Sequence, residues 1–302
     1  MSFRNAVKIL LSRFGLVWTI LLYTVIFLFM LACLSVTFVV PVVRALDAAS
    51  VGDSLSALFN SVLSGDSMQS WFEQIKAIVD TAGTTIRSDF SARLNTWLAV
   101  VVFVLAGRFL VGLYELPLVS VLESSMSSDA KVGFTGRFIS RLGVSCRFTL
   151  VKMIYTILFD AVLYAILYAM FGLFSVRGFG LLAAPLIMLT FIALNAFRYA
   201  VISMWAPSVI VDGKKIFPAF FSGAKSAFRH FGSIYSSYVV SWVLIVALNL
   251  LVGLFTFGVG LLITVPISMT FLSILGMTVF YGKNGRRYYA DSSIVYPQGA
   301  GN

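Results

Sequence analysis

Four ionisable side chains within otherwise apolar stretches of this chain are candidates for a polar network inside the membrane. They are Arg108, Glu115, Asp160 and Arg198. Apolar stretches of about 20 residues are long enough to cross a bilayer. A charge at the bilayer centre costs at least about 2.5 to 3.5 kcal/mol, so each of these groups is expected to face protein or a wet cavity and to find a partner.

The spacing of these residues indicates how they pair. Arg108 and Arg198 occupy equivalent positions in a repeat described below, and Asp160 is expected at a similar depth. Glu115 follows Arg108 by about two helical turns and shares its face. Asn249 holds the position in the third repeat that Asp160 holds in the second, which adds an amide to this layer.

Two interpretations of these five residues remain open. They form a buried network that fixes how helices dock, or they line a midplane polar site for a solute, an ion or a proton. The two positive and two negative charges balance, which favours the structural interpretation.

Other chemistry finds little support in the sequence. The chain has one histidine, His230, and two cysteines, Cys33 and Cys146, so neither a zinc site nor a serine and histidine pair is expected. Asp160 is the one aspartate expected inside a span, and no GxxxxGKS/T loop is present. The sequence therefore predicts no enzyme, no metal and no cofactor.

The elements that position the charges are membrane spans. The chain is 60% hydrophobic and 11% charged, which excludes an ordinary water-soluble fold. The sequence predicts an all-α polytopic bundle of six spans, at about 14–43, 94–119, 148–174, 179–211, 234–255 and 259–281. Short turns are expected to join the third span to the fourth, at 175–178, and the fifth span to the sixth, at 256–260.

Lysine and arginine alternate between the connecting segments. One side of the membrane receives the larger group, which consists of Arg4, Lys8, Arg13, Lys131, Arg137, Arg141, Arg147, Lys214, Lys215, Lys225, Arg229, Lys283, Arg286 and Arg287. Basic segments stay in the cytoplasm during insertion, so both termini are predicted there, in a bacterial inner membrane. The net charge of +10 then suits anionic lipid headgroups, and nucleic acid is not expected as a partner.

Three segments share a pattern that indicates an internal repeat. Ser12-Arg13-Phe14-Gly15, Ser140-Arg141-Leu142-Gly143 and Arg229-His230-Phe231-Gly232 each end a basic amphipathic stretch. Arg108 precedes Pro117 by nine residues and Arg198 precedes Pro207 by nine, while Ser273 and Gly282 hold that spacing in the third unit. The prediction is three parallel two-span repeats, each preceded by an interfacial helix, over 1–122, 123–212 and 213–285, with a cytoplasmic tail at 286–302.

The first repeat carries an external insertion at 44–93. Ser67 is expected to cap a helix whose apolar stripe consists of Met68, Trp71, Phe72, Ile75, Ile78 and Val79. Packing on the bundle, lying on the outer leaflet and acting as a ligand lid remain open for this stripe.

One segment resembles a known family. Met204-Trp205-Ala206-Pro207-Ser208-Val209-Ile210-Val211-Asp212-Gly213, followed by Ala224-Lys225-Ser226-Ala227-Phe228, is similar to bacterial multi-span proteins related to the glycerophosphoryl diester phosphodiesterase membrane domain. The resemblance covers the C-terminal third. It implies a helical membrane module that accompanies lipid-related enzymes, and it transfers no catalytic residue because the soluble hydrolase domain is missing.

The sequence thus favours a non-enzymatic scaffold or partner module in envelope or lipid processes, with membrane lipids and a membrane or soluble protein as partners. The alternative is a permease-like transporter, or a membrane subunit of a transport complex, with a midplane polar site.

Overall fold

A computed structural model describes residues 2–65, 67–176, 180–291 and 293–296. Within these ranges the chain forms helices throughout, with one short β-hairpin near the C-terminus. The helices are α1 (Ser2–Ser12), α2 (Gly15–Ala48), α3 (Val51–Ser64), α4 (Met68–Ser88), α5 (Phe90–Val101), α6 (Gly107–Gly112), α7 (Glu115–Ser128), α8 (Phe134–Val176), α9 (Gly180–Ile202), α10 (Trp205–Ile210), α11 (Ile216–Arg229), α12 (Phe231–Phe255) and α13 (Leu261–Lys283).

Six helical segments among the described residues are long and apolar enough to cross a membrane. They are Gly15–Ala48, Phe90–Ser128, Phe134–Leu173, Pro185–Ile210, Phe231–Phe255 and Leu261–Lys283. The predicted six-span helical membrane fold is confirmed at this level. The turn at 256–260 is also confirmed, since Phe257 and Gly258 have φ of 51° and 86°. The predicted turn at 175–178 lies partly outside the described residues.

The chain divides into two compact units, one of residues 1–25 with 111–302 and one of residues 26–110. The larger unit contains α7 to α13 with α1 and the start of α2. The smaller unit contains the rest of α2, then α3 to α5, one turn of π-helix at Val102–Ala106 and most of α6.

Prolines interrupt two spans of the larger unit at matching places. The helix breaks at Leu113 and Tyr114, three residues before Pro117, and again at Ser203 and Met204, before Pro207. A proline has no N–H to donate and its ring clashes with the carbonyl four residues earlier, so the helix ends and restarts. Gly282 holds the corresponding position in α13, and α13 continues through it without a break.

The short helices after these breaks belong to the core of the larger unit. α7, α10 and α13 pack against one another, and Leu116, Leu118, Met204, Ile274 and Leu275 are buried there. Three basic segments surround them. α1 packs on α13, the first part of α8 packs on α7, and α11 packs on α10.

Individual contacts fix each of these three packings. The rings of Phe3 and Phe271 lie 5.4 Å apart between α1 and α13. Arg137 Nη2 on α8 donates to Ser124 Oγ on α7 at 3.1 Å. Trp205 Nε1 at the start of α10 donates to the Ile216 carbonyl at the start of α11, at 2.9 Å.

The second basic segment differs from the prediction. A separate interfacial helix ending at Gly143 was expected before the third span, but α8 runs unbroken from Phe134 through Gly143. A helical glycine costs only about 1 kcal/mol. Packing of the whole segment against α7 outweighs that cost.

The insertion in the smaller unit is helical, as predicted. Ser67 caps α4, since its side chain accepts a hydrogen bond from the Ser70 N–H. Trp71 Nε1 donates to the Ser61 carbonyl at 3.4 Å and so ties α4 to α3. Part of the apolar stripe remains uncovered, because Phe72, Ile75 and Val79 are exposed. The Met68 side chain lies outside the described residues.

The β-hairpin was not predicted. β1 (Tyr288–Ala290) pairs antiparallel with β2 (Ser293–Val295), and Asp291 between them has φ of 63°. β1 packs on α7 and α1. Part of the segment expected to be a cytoplasmic tail is therefore an ordered element of the larger unit.

Candidate functional site

Asp160 and Arg198, two of the four charges expected to pair with one another, form an ion pair that joins two neighbouring spans. Arg198 Nη1 on α9 donates to Asp160 Oδ1 on α8 at 2.7 Å. The side chains are 17% and 11% exposed, respectively, so the pair is largely removed from solvent. Such a pair repays its desolvation only when its geometry is good and further hydrogen bonds satisfy the remaining groups.

Aromatic rings supply part of that support. The Arg198 guanidinium lies 6.0 Å from the Phe159 ring centroid and 5.8 Å from that of Tyr199. A planar guanidinium is attracted to ring faces, most strongly when both are desolvated. Arg198 Nε is buried and donates no hydrogen bond to any described residue. The indole Nε1 of Trp242 is also buried and donates no hydrogen bond to any described residue. The Trp242 ring centroid lies 5.6 Å from that of Tyr199.

A second ion pair lies closer to the start of α8 than Asp160 does. It includes Lys152, which the sequence analysis did not single out. Lys152 Nζ on α8 pairs with Glu115 Oε2 at the start of α7. The expectation that the four charges pair among themselves is therefore wrong for Glu115. Lys152 lies inside the predicted third span, eight residues before Asp160. That spacing of two turns, which places both on a similar face of α8, was the available signal.

Arg108 and Asn249 belong to different helices. Arg108 lies in α6 within the smaller unit, at intermediate burial. Asn249 in α12 donates from Nδ2 to the Ile245 carbonyl and to Ser268 Oγ, at 2.8 Å and 3.2 Å. Its Oδ1 accepts from Thr264 Oγ1 at 2.7 Å. Asn249 thus joins α12 to α13, as Asp160 joins α8 to α9.

Asp160 and Asn249, which the predicted repeat aligns with each other, therefore make contacts of the same kind. Each connects the first span of its hairpin to the second, one through an ion pair and the other through amide hydrogen bonds. No family model, no curated protein and no solved structure matches this chain.

A third polar cluster lies at the turn after α10. Asp212 accepts from Arg286 Nη2 at 2.8 Å through Oδ1, and its Oδ2 lies 3.0 Å from Lys214 Nζ. Gly213 makes this turn with φ of 65°, a conformation that a residue with a Cβ rarely adopts. The turn thereby connects α10 to the segment that follows α13.

Metal-ligand geometry is not found in the described ranges. No three His, Cys, Asp or Glu side chains come together there in a way that could hold a metal ion. His230 lies between α11 and α12, Cys33 is exposed and Cys146 is at intermediate burial.

Proposed function

We propose that this protein is a non-enzymatic membrane scaffold or partner module in which buried charges lock the helices together. The observation that carries the proposal is that α8 forms one ion pair with each of two neighbouring helices. Lys152 of α8 pairs with Glu115 of α7, and Asp160 of α8 pairs with Arg198 of α9. Each carboxylate faces a cation, and aromatic rings flank Arg198. This arrangement suits fixed docking of α7, α8 and α9.

We further propose that the chain is built from three parallel repeats. The helix breaks before Pro117 and Pro207 support this arrangement, because they fall at the same offset from Arg108 and Arg198. The packing order supports it as well. The basic segment of the second repeat packs on α7 of the first, that of the third packs on α10 of the second, and α1 of the first packs on α13 of the third. Such an order closes the larger unit into a cycle.

The basic helices α1 and α11 suit a position at the membrane boundary. Ala219, Gly223 and Ala227 of α11 are buried, whereas Phe217, Phe221 and Phe228 are exposed on another face. In α1, Ala6 and Ile9 are buried and Leu11 is exposed. Helices with one protein-facing side, one apolar free side and flanking basic residues lie in the headgroup region. We propose that this region is the cytoplasmic face of a bacterial inner membrane, with both termini on that side.

The proposal is tested by removing one or both members of the buried pair. Arg198→Met removes the cation that Arg198 presents to the Asp160 carboxylate, which is expected to cost about 3 to 5 kcal/mol. The double variant Asp160→Leu with Arg198→Met removes both members of this pair and should recover most of that loss. Arg286→Met, which removes an exposed cation from Asp212, is the matched control and should cost at most about 1 kcal/mol.

The readouts are the melting temperature in detergent and the set of proteins that co-purify from the native membrane. A scaffold requires the double variant to melt near the wild-type temperature and to keep its partners. A double variant that is folded but loses the partners, or abolishes a transport phenotype, would contradict the structural role of the pair.

A permease-like function is the second candidate, and one observation favours it. Arg198 Nε and Trp242 Nε1 are buried and donate to no described residue, and both side chains lie close to the Tyr199 ring. Buried donors of this kind suit an anionic or carbonyl group of a solute. Trp242→Phe separates the candidates, because it removes a donor with little change of shape and should impair only a transporter.

A further inference from the structure

A cavity of about 250 Å³ lies where α1 meets α2, beside the end of α7. Its lining includes Arg13, Gly15, Leu16, Val121, Lys131 and Val132. Pockets for drug-sized ligands start at roughly 300 Å³. The space therefore suits a compact group rather than a large ligand.

The charge at the cavity is positive. Arg13 pairs with Asp129, so the charges of these two side chains cancel. Lys131 is exposed and has no ion pair with any described residue. The three groups together carry one unit of positive charge, and Arg13 and Lys131 line the same space. An anion is the ligand that this lining attracts.

The apolar surroundings identify the kind of anion. Leu16, Val121 and Val132 form the apolar part of the lining. Gly15 shares a helical face with Trp18 and Leu22, both of which are 57% exposed. A ligand in the cavity therefore lies at the end of an exposed apolar stripe of a membrane span, with an aromatic residue at the level typical of the membrane interface. A phosphate that carries acyl chains fits both features.

We propose that this cavity binds the phosphate headgroup of an anionic phospholipid, with Arg13 and Lys131 on the phosphate and the acyl chains along the Trp18 and Leu22 face. The site goes beyond the scaffold function and does not depend on it. It is also more specific than a general attraction between a basic rim and the membrane, because it assigns the phosphate to two particular residues, Arg13 and Lys131.

Gly15 gives a selective way to block the cavity. A Cβ at this position would meet no atom within 4 Å, so the backbone has room for a side chain here, and Gly15→Leu is the variant that should occupy part of the cavity. Lys131→Gln removes the unpaired charge. The matched controls are Gly143→Leu, at another glycine with open space around it, and Lys215→Gln, at another exposed lysine outside the cavity.

The experiment is a titration of the full chain in detergent with phosphatidylglycerol, followed by native mass spectrometry, with phosphatidylcholine as the neutral comparison. Lys131→Gln should weaken the tightest phosphatidylglycerol binding roughly fivefold, the effect expected for one lysine at an anionic surface. Gly15→Leu should abolish that binding event, and both controls should bind as wild type does.

Unchanged phosphatidylglycerol binding in Lys131→Gln would overturn the proposal even if Gly15→Leu did not fold. Equal retention of phosphatidylcholine would overturn it as well. Inorganic phosphate is the second probe, and displacement of the lipid by millimolar phosphate would assign the cavity to a soluble anion instead.

Discussion

Arg198 shows how one residue satisfies several requirements of a buried charge. Its Nη1 donates to Asp160, and the rings of Phe159 and Tyr199 lie against its guanidinium. Lysine has a compact, strongly hydrated ammonium and could not make the planar contacts. Lys152 fulfils a simpler requirement, since it faces Glu115 and lies 5.8 Å from the ring of Phe148.

Tyr288 allows a prediction about pH. Its hydroxyl accepts a hydrogen bond from Asn5 Nδ2 at 2.7 Å, and burial raises the pKa of Tyr288 above its usual value of 10.0, with the Asn5 hydrogen bond opposing that rise. The neutral phenol is thus favoured in the folded state. The stability that this contributes is fully present below the unfolded pKa near 10, and it is lost as the pH rises through the folded pKa.

Tyr288→Phe should therefore make the melting temperature fall less steeply above pH 10 than it does in wild type. At pH 7 the same variant should lose about 1 kcal/mol with the hydrogen bond. Melting curves between pH 7 and 11 measure both effects, and Tyr296→Phe, at an exposed tyrosine, is the control. Parallel pH profiles for wild type and Tyr288→Phe would contradict the prediction.

The sequence predicted some site residues better than others for a physical reason. Asp160 and Arg198 lie deep within apolar runs, where the cost of an unpaired charge makes a partner necessary. Lys152 lies near the start of its span, five residues after Arg147, and so reads as part of the basic boundary. Its spacing from Asp160 places it on a similar face of α8, but spacing within one helix does not identify Glu115, on another helix, as the group that its long side chain reaches.

At the scale of elements, glycine sets how closely the helices approach. A Cβ on Gly276 of α13 would come within 3.1 Å of the Ser203 carbonyl oxygen, and one on Gly223 of α11 within 3.1 Å of the Met204 backbone. Both glycines touch the break between α9 and α10. The break and the close contacts therefore belong to one packing arrangement.

Gly276→Ala is predicted to destabilise the protein by about 1 to 3 kcal/mol, because the rigid backbone opposite cannot give way as a side chain would. Gly223→Ala should act in the same direction. Gly143→Ala in α8 is the control, since a Cβ there meets nothing within 4 Å, and it should stabilise by about 0.5 to 1 kcal/mol. Thermal or denaturant unfolding in detergent measures all three, and a stabilising Gly276→Ala would show that the contact is loose.

The elements were predictable from sequence where the signal was local. The spans follow from runs of apolar residues, and the cap at Ser67 follows from a side chain that precedes an amphipathic stripe. The unbroken course of α8 through Gly143 was not predictable in that way, because the packing that sustains it involves Ser124 on another helix. The β-hairpin depends likewise on contacts of β1 with α7 and α1.

At the scale of the whole molecule, the distribution of charge and the packing of the larger unit agree with each other. The basic segments that the proposed repeat places before each first span are the ones that pack on α7, α10 and α13. Asp129 and Asp212, which follow α7 and α10, pair with Arg13 and Arg286 from the N-terminal and C-terminal ends of the chain. Two ion pairs within the larger unit therefore join the end of α1 and the segment after α13 to the connections that follow α7 and α10. In the proposed topology these groups lie on one membrane face.

This layout predicts which positions are accessible from each side of the membrane. Single cysteines at Ser128, Ser140 and Ser222 should react with an impermeant maleimide only after the membrane is opened, whereas cysteines at Ser56 and Thr84 should react from outside intact cells. These substitutions leave every basic residue in place, so the charge distribution that directs insertion is unchanged. The background must lack Cys33 and Cys146, since Cys33 is exposed. Labelling of Ser140→Cys and Ser222→Cys from outside would show that the orientation is the opposite of the one proposed. Arg13 and Lys131 would then face the outer leaflet and not the anionic inner leaflet.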